Sequence, residues 1–314
     1  MRSSVLGFGC SSVLGRVGRK DSLAALGAAY EAGITFFDTA RSYGYGESEG
    51  LLGEFLRGRR ESVVLSTKFG ILSVGNNVFK RSLKPIARRL LRMAPSMRRT
   101  VRGQIAAQFS PGHFSVAALH ESLASSLRAL HTDYVDLLFM HEAPVDVLQQ
   151  DDLRDALERL VTAGKIRRYG IASHPTVVGS ALDAGFQTFQ LPCNLFDIGG
   201  ARMFGGRGSD VVAIANHPFG GGQRIVENKV LLTSIALDTN APASLREKLR
   251  TVDNAVLADV VLNAITDDTG IQVVIPSMMR LDHLRANVAA IEHSRFNSEE
   301  LDWLRNTIGG STHQ

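Results

Sequence analysis

At 314 residues, with 44% hydrophobic and 21% charged side chains, the chain has an ordinary globular composition, which excludes disordered, collagen-like and coiled-coil organisations. Its two cysteines, Cys10 and Cys193, lie far apart in no C-x-x-C pattern, excluding a disulfide framework and any zinc site of recognisable spacing. The formal net charge of +4 is concentrated: Lys68, Lys80, Arg81, Lys84, Arg88, Arg89, Arg92, Arg98, Arg99 and Arg102 fall in a stretch from Ser62 to His120 that has no Asp or Glu, leaving 25 basic against 31 acidic residues elsewhere. Such a segment attracts anions locally but does not make a protein-wide nucleic-acid surface.

In chain order the pattern alternates strand and helix. The opening VLGFGCSS reads as a strand, interrupted by Ser and Gly before any leader-like apolar run can build. Asp21 opens a helix with Leu23, Leu26, Ala29 and Tyr30 on overlapping faces, closed by Gly33 in the position of a left-handed cap. ITFFDTA is the next strand. Residues 47–56 place Leu51, Leu52 and Phe55 at helical spacing and stop at Gly58, before VVLSTK makes a third strand. Beyond the basic stretch, Ser115 caps a helix running through Leu119, Leu123, Leu127 and Leu130 into YVDLLFMH. Residues 151–163 form another, ending at Gly164 before IRRYGIAS, and TFQLPCN, VVAIANH and IQVVIPS complete the set.

Eight strands thus begin near Val5, Ile34, Val63, Tyr134, Arg168, Thr188, Val211 and Ile271. Several are apolar almost throughout, as in a parallel sheet covered on both faces. Eight such repeats predict one (β/α)₈ TIM barrel domain over residues 1–314. A doubly wound sheet fits less well, because no G-x-G-x-x-G follows the first strand and six strands would suffice. Two strand-to-strand spacings are long, which predicts a basic insertion at about 71–112 and a second long loop at about 218–250 as walls or lids of the functional face. No run is long enough to span a bilayer, and the expected location is cytoplasmic.

On a barrel, polar residues at the carboxyl ends of strands converge on one axis. Asp38 closes ITFFD, Lys68 closes VVLSTK, His141 closes VDLLFMH, and Tyr43 lies five residues past Asp38. A phenol titrating near ~10 is a poor acid at neutral pH, and a neighbouring ammonium lowers that value. Lys68 is therefore expected to activate Tyr43, Asp38 to keep Lys68 charged, and a neutral His141 to polarise a carbonyl oxygen. The set contains a proton donor and an oxyanion site but no nucleophile and no metal cluster. It predicts reversible carbonyl reduction, with hydride from a bound cofactor and the proton from Tyr43.

The runs FDTARSYGYGESEGLLGEFL, LSTKFG, ESLASSLRALHTDYVDLLFMH and VIPSMMRLDHLRANVAAI resemble, in order and nearly end to end, the aldo-keto reductases. The resemblance implies that Asp38, Tyr43, Lys68 and His141 are the family's catalytic tetrad. It implies nicotinamide contacts at Ser173, His174 and Gln190, with His174 standing where the family usually has Asn. Asn216 occupies the place of the aromatic that stacks on the nicotinamide, so stacking is lost or supplied elsewhere. Gly220, Gly221 and Gly222 resemble the loop that wraps the pyrophosphate. Ser277, Arg280, His283 and Asn287 fall where the adenosine 2′-phosphate and adenine are held. Arg280 favours NADPH, while the thinned cationic cluster leaves NADH open.

The expected partner is a small carbonyl or sugar substrate, with no nucleic acid. A competing reading is a nucleotide-binding, redox-sensing regulatory protein that docks to a partner through its basic 80–102 segment.

Overall fold

The structure is a computed structural model that describes residues 3–15, 17–73, 109–110, 112–267 and 269–310. The basic 80–102 segment, and with it most of the expected insertion, lies outside the described residues. Eight strands pair in parallel in the order β1 (Gly7–Gly9), β2 (Phe36–Asp38), β3 (Val64–Phe69), β6 (Val135–His141), β7 (Ile166–Ala172), β8 (Thr188–Pro192), β9 (Val212–Asn216) and β10 (Val273–Ile275). Leu6 bridges Val274 in parallel, and the Val274 N–H donates to the Val5 carbonyl at 2.8 Å, so the last strand returns to the first and the sheet becomes a (β/α)₈ barrel. All eight strands predicted from the sequence are present. A two-residue antiparallel pair that was not anticipated, β4 (Leu72–Ser73) with β5 (Phe109–Ser110), flanks the basic segment.

Two buried clusters divide the apolar residues. Phe36, Val64, Leu137, Phe139, Ala172, Ile214, Val273 and Ile275 share the inward parity of their strands and fill the barrel. Residues of the opposite parity, such as Phe37, Leu65, Leu138, Ile171 and Phe189, pack outward against the helices. At β1 the interior is filled by neighbours: a Cβ on Gly7 would lie 2.9 Å from the Phe36 ring and one on Gly9 2.8 Å from Ile275. Continued to the carboxyl ends of the strands, the inward parity reaches Asp38, Ser66, Lys68, His141, Gln190 and Asn216. The apolar filling therefore gives way to polar side chains at one end of the barrel.

The helices between the strands are α1 (Arg19–Glu31), α2 (Ser48–Phe55), α3 (Val116–Leu130), α4 (Asp151–Thr162) and α5 (Pro175–Asp183), followed by the short α6 (Gly199–Arg202). Then come α7 (Gly222–Leu237), α8 (Ala243–Lys248), α9 (Asn254–Thr266), α10 (Leu281–Glu292) and α11 (Ser298–Gly310). Ser115 caps α3 as expected, its side chain accepting from the Ala118 N–H. Two expectations need correction. The first helix begins at Arg19 rather than Asp21, because Gly18 serves as its N-cap with no side-chain hydrogen bond to announce it. The 218–250 stretch is not a long loop but is largely helical, forming α7 and α8, with Asn228, Leu232 and Ile235 turned inward along α7.

Candidate active site

Ionic contacts order the site first. The Lys68 ammonium donates to both carboxylate oxygens of Asp38 at 2.7 Å and to the Thr39 carbonyl at 2.9 Å. Ser66 donates to Asp38 Oδ1 at 2.6 Å. The pairing follows from the register, which sets Asp38 beside Ser66 on neighbouring parallel strands and leaves Lys68 two residues further along the same face. Asp38 and Lys68 are both buried, so the ammonium depends on the carboxylate for its charge. Burial pushes Lys68 down, but the Asp38 charge and hydrogen bonds outweigh it, and the net direction is upward.

Tyr43 opens a tight turn, Tyr43–Gly46, that leads directly into α2. Gly44 in that turn has φ 58°, and a Cβ there would come within 2.6 Å of the Val13 carbonyl, so glycine is required where the turn lies against the segment that follows β1. The Tyr43 ring is partly buried, with Lys68 Nζ 5.0 Å from its centroid. It meets the His141 ring edge-on at 6.0 Å between centroids. Here the sequence-based reading changes: burial pushes the phenol up by more than Lys68 pulls it down, so Tyr43 titrates above its ordinary value, not below. Lys68 acts in the expected direction without prevailing. His141 behaves as expected: burial, reinforced by the Lys68 charge, lowers it to about 3, and the imidazole is neutral at physiological pH.

The remaining predicted residues lie at the carboxyl ends of β7 to β10 and in the segments that follow them. Ser173 is buried just past β7, its N–H donating to the Gln190 carbonyl at 3.0 Å. His174 is exposed as the N-cap of α5. Gln190 is completely buried, yet neither atom of its side-chain amide has a hydrogen-bond partner among the described residues. Asn216 ends β9 with its Oδ1 2.9 Å from His217 Nδ1. Gly220 and Gly221, with φ of 64° and 95°, turn the chain into α7 at Gly222, and nothing lies within 4 Å of the position a Cβ would take on Gly221 or Gly222.

Ser277 and Arg280 are exposed beyond β10, His283 is partly buried on α10, and buried Asn287 leaves its side-chain N–H group without an acceptor among the described residues. Arg280 is already engaged, donating to Asp282 at 2.9 and 2.6 Å. Of the five described non-glycine residues with positive φ, four follow barrel strands at this same end: Leu14, Tyr45, Glu142 and His217. Backbone strain is thereby concentrated around the site.

Sequence reasoning missed two contributors. Ser66 shares Lys68's inward parity and was within reach of that argument. Glu49, buried on α2, accepts from Thr67 Oγ1 at 2.6 Å, a role that the helical spacing of residues 47–56 does not reveal.

An eight-stranded parallel barrel with a buried Lys–Asp pair, a tyrosine and a neutral histidine at the carboxyl ends of its strands defines the class of molecule. The chain belongs to the Aldo/keto reductase family, whose pattern matches residues 5–308. Among characterised sequences it is 28% identical to aldo-keto reductase YhdN of Bacillus subtilis over 187 residues, which is 58% of this chain and 46% of the relative. It is 32% identical to norsolorinic acid reductase stcV of Emericella nidulans over 167 residues, 52% of this chain and 36% of the relative. The match therefore spans less than half the length of either relative. Among solved structures, the holo form of aldo-keto reductase AKR11C1 from Bacillus halodurans superposes with a TM-score of 0.66 at 21% identity, covering 98% of this chain and 93% of that one, and shares the fold.

Proposed function

We propose that the protein is an NAD(P)H-dependent oxidoreductase that reduces the carbonyl of a small aldehyde, ketone or sugar to the alcohol, reversibly, with Tyr43 as proton donor. The observation that carries this reading is the contact of Tyr43 with both the buried Lys68–Asp38 pair and the neutral His141.

The residues of the rim fit a dinucleotide. Gln190 has a buried amide with both ends unsatisfied, at a cost of about 1–3 kcal/mol for each group, which a carboxamide would relieve. Ser173 lies beside it. At the other end, the orphaned Asn287 amide suits an adenine nitrogen, and the open backbone at Gly221 and Gly222 allows close approach of a pyrophosphate. A nicotinamide held there would supply the hydride for the carbonyl carbon.

The chain's own groups do the rest. His141, neutral and so not competing as a cation, donates its ring N–H to the carbonyl oxygen and holds it beside the Tyr43 hydroxyl. Because burial keeps the phenol protonated, Tyr43 remains a donor across the neutral range. As negative charge grows on the oxygen the proton leaves Tyr43, and the Lys68 ammonium stabilises the phenolate left behind. Asp38 holds that ammonium in place. NADPH is favoured over NADH because Arg280 is exposed and its bond to Asp282 is a surface pair that a phosphate can replace.

Tyr43→Phe tests the reading. Carbonyl turnover should fall by about 100-fold or more, while NADPH affinity, followed by the cofactor's fluorescence, should stay within about 2-fold of the parent. Undiminished turnover would refute it.

A further inference from the structure

Glu49 is a carboxyl group buried outside the barrel, on the side of β3 away from Lys68. Successive side chains of β3 point to opposite faces. Ser66 and Lys68 point inward and contact Asp38, whereas Thr67 between them points outward and donates to Glu49 Oε1 at 2.6 Å. Ser126 of α3 supplies a second hydrogen bond to the same carboxyl group. Glu49 belongs to the first turn of α2, which begins two residues beyond the Tyr43–Gly46 turn.

The same helix start is tied to the strand ends at two more points. Ser48 donates to the Cys10 carbonyl at 3.1 Å and lies 3.4 Å from Thr39 Oγ1. Further along α2, Gly53 packs so closely on α3 that a Cβ there would lie 2.5 Å from the Ala129 carbonyl. Buried polar contacts of this kind, each leaving a costly orphan if one partner is lost, specify a single arrangement.

From these contacts we infer that Glu49 is a positioning residue: by gripping Thr67, it fixes the turn that carries Tyr43 against the strand that carries Lys68, and so sets the distance between phenol and ammonium. The linkage is short. Glu49 lies six positions beyond Tyr43, and Thr67 is the immediate neighbour of Lys68. Loss of the grip removes the side-chain tie between this helix start and β3, and a displacement on the order of 1 Å is enough to cost about 100-fold in rate when a reacting group must be aligned. The inference rests on Tyr43 being the proton donor.

The test compares Glu49→Ala, Glu49→Gln, Thr67→Val and Tyr43→Phe in the full chain. Glu49→Ala should lower kcat by about 10- to 100-fold with substrate KM changed less than about 3-fold, because the loss is felt in the transition state rather than in binding. Its kcat/KM profile should also lose activity at a different alkaline pH from the parent, since the charge that favours the Tyr43 phenolate has moved. Glu49→Gln keeps an acceptor for Thr67 and should restore most of kcat.

A purely structural role would lower the unfolding midpoint of Glu49→Ala but leave the kcat and pH profile of the folded protein untouched, and that result overturns the proposal. If Glu49→Ala does not fold, Thr67→Val, which removes only the donor, should show the same kcat loss and profile shift in smaller degree, and parental values for it overturn the proposal equally. Tyr43→Phe separates the two readings. If it is inactive while Glu49→Ala is unchanged, the clamp alone fails; if it turns over normally, the proton-donor reading fails and the clamp with it.

Discussion

Replacing Lys68 by Met should destabilise the fold more than any comparable change at the surface. Lys68 and Asp38 have side chains only 1% and 5% exposed, and among the described residues the ammonium accounts for two of the three hydrogen bonds that reach the carboxylate. Lys68→Met keeps the volume but leaves an ionised carboxyl group in the barrel with Ser66 as its remaining donor. Breaking a buried pair by removing one partner costs about 3–5 kcal/mol. That is a large part of the roughly 5–15 kcal/mol that holds a domain folded.

Removing both partners is a different matter, since an apolar pair of similar size is often neutral. Asp38→Ala combined with Lys68→Met should therefore be more stable than Lys68→Met alone, with a coupling of about 2 kcal/mol or more. Urea unfolding followed by circular dichroism at neutral pH measures Lys68→Met, Asp38→Ala and the double variant against the parent. The deficit of Lys68→Met should shrink as the solution is acidified, because the stranded carboxyl group can then take up a proton. A cost for Lys68→Met of about 1 kcal/mol or less, or a double variant whose loss equals the sum of the singles, would refute the reasoning.

Other consequences can be measured separately. His141 is held at about 3 in the folded protein, below its ordinary 6.5, so its contribution to stability is complete above the unfolded value and is lost as pH falls toward the folded one. Between those limits the parent should lose about 1.4 kcal/mol per pH unit more than His141→Gln, as read from urea midpoints at two pH values. Asp282 is held down at about 2 by its hydrogen bonds to Arg280, and so competes as an ionised partner at every working pH. Asp282→Asn should tighten NADPH by about 2- to 5-fold and leave NADH unchanged. Fluorescence titration with both cofactors checks this, and equal tightening of the two would remove Arg280 as the phosphate partner.

Much of this was legible in the sequence because it depends on local chemistry. The eight strands appear as apolar runs, and Gly33, Gly58 and Gly164 punctuate the helices with positive φ where predicted. Asp38, Lys68 and His141 could be placed because parity along a buried strand brings its last inward residue to the mouth. What was not legible depends on partners distant in the chain. Whether Lys68 outweighs burial at Tyr43 depends on how deeply the ring is set, which no spacing reveals. The grip of Glu49 on Thr67 joins residues 18 apart whose pairing exists only once α2 has docked. The Arg280–Asp282 fork, by contrast, was within local reach and was overlooked. The helical content of 218–250 was obscured because α7 buries an asparagine, Asn228, among its inward residues.

The lacing of the barrel is uneven, and this divides its motions. Strands β6 and β7 share six residue pairs, but β7 and β8 share two, and β10 returns to β1 through the Leu6–Val274 bridge. The two thinnest seams flank the stave formed by β8, β9 and β10, which carries Gln190 and Asn216 and leads into Arg280. Thermal breathing should open these seams first, so that the amides of Val274 and Ser173, which cross them, exchange with deuterium sooner than that of Thr39, which ties β2 to β3. The ion pair lies away from both seams, because Asp38 and Lys68 sit on β2 and β3, which pair directly with each other.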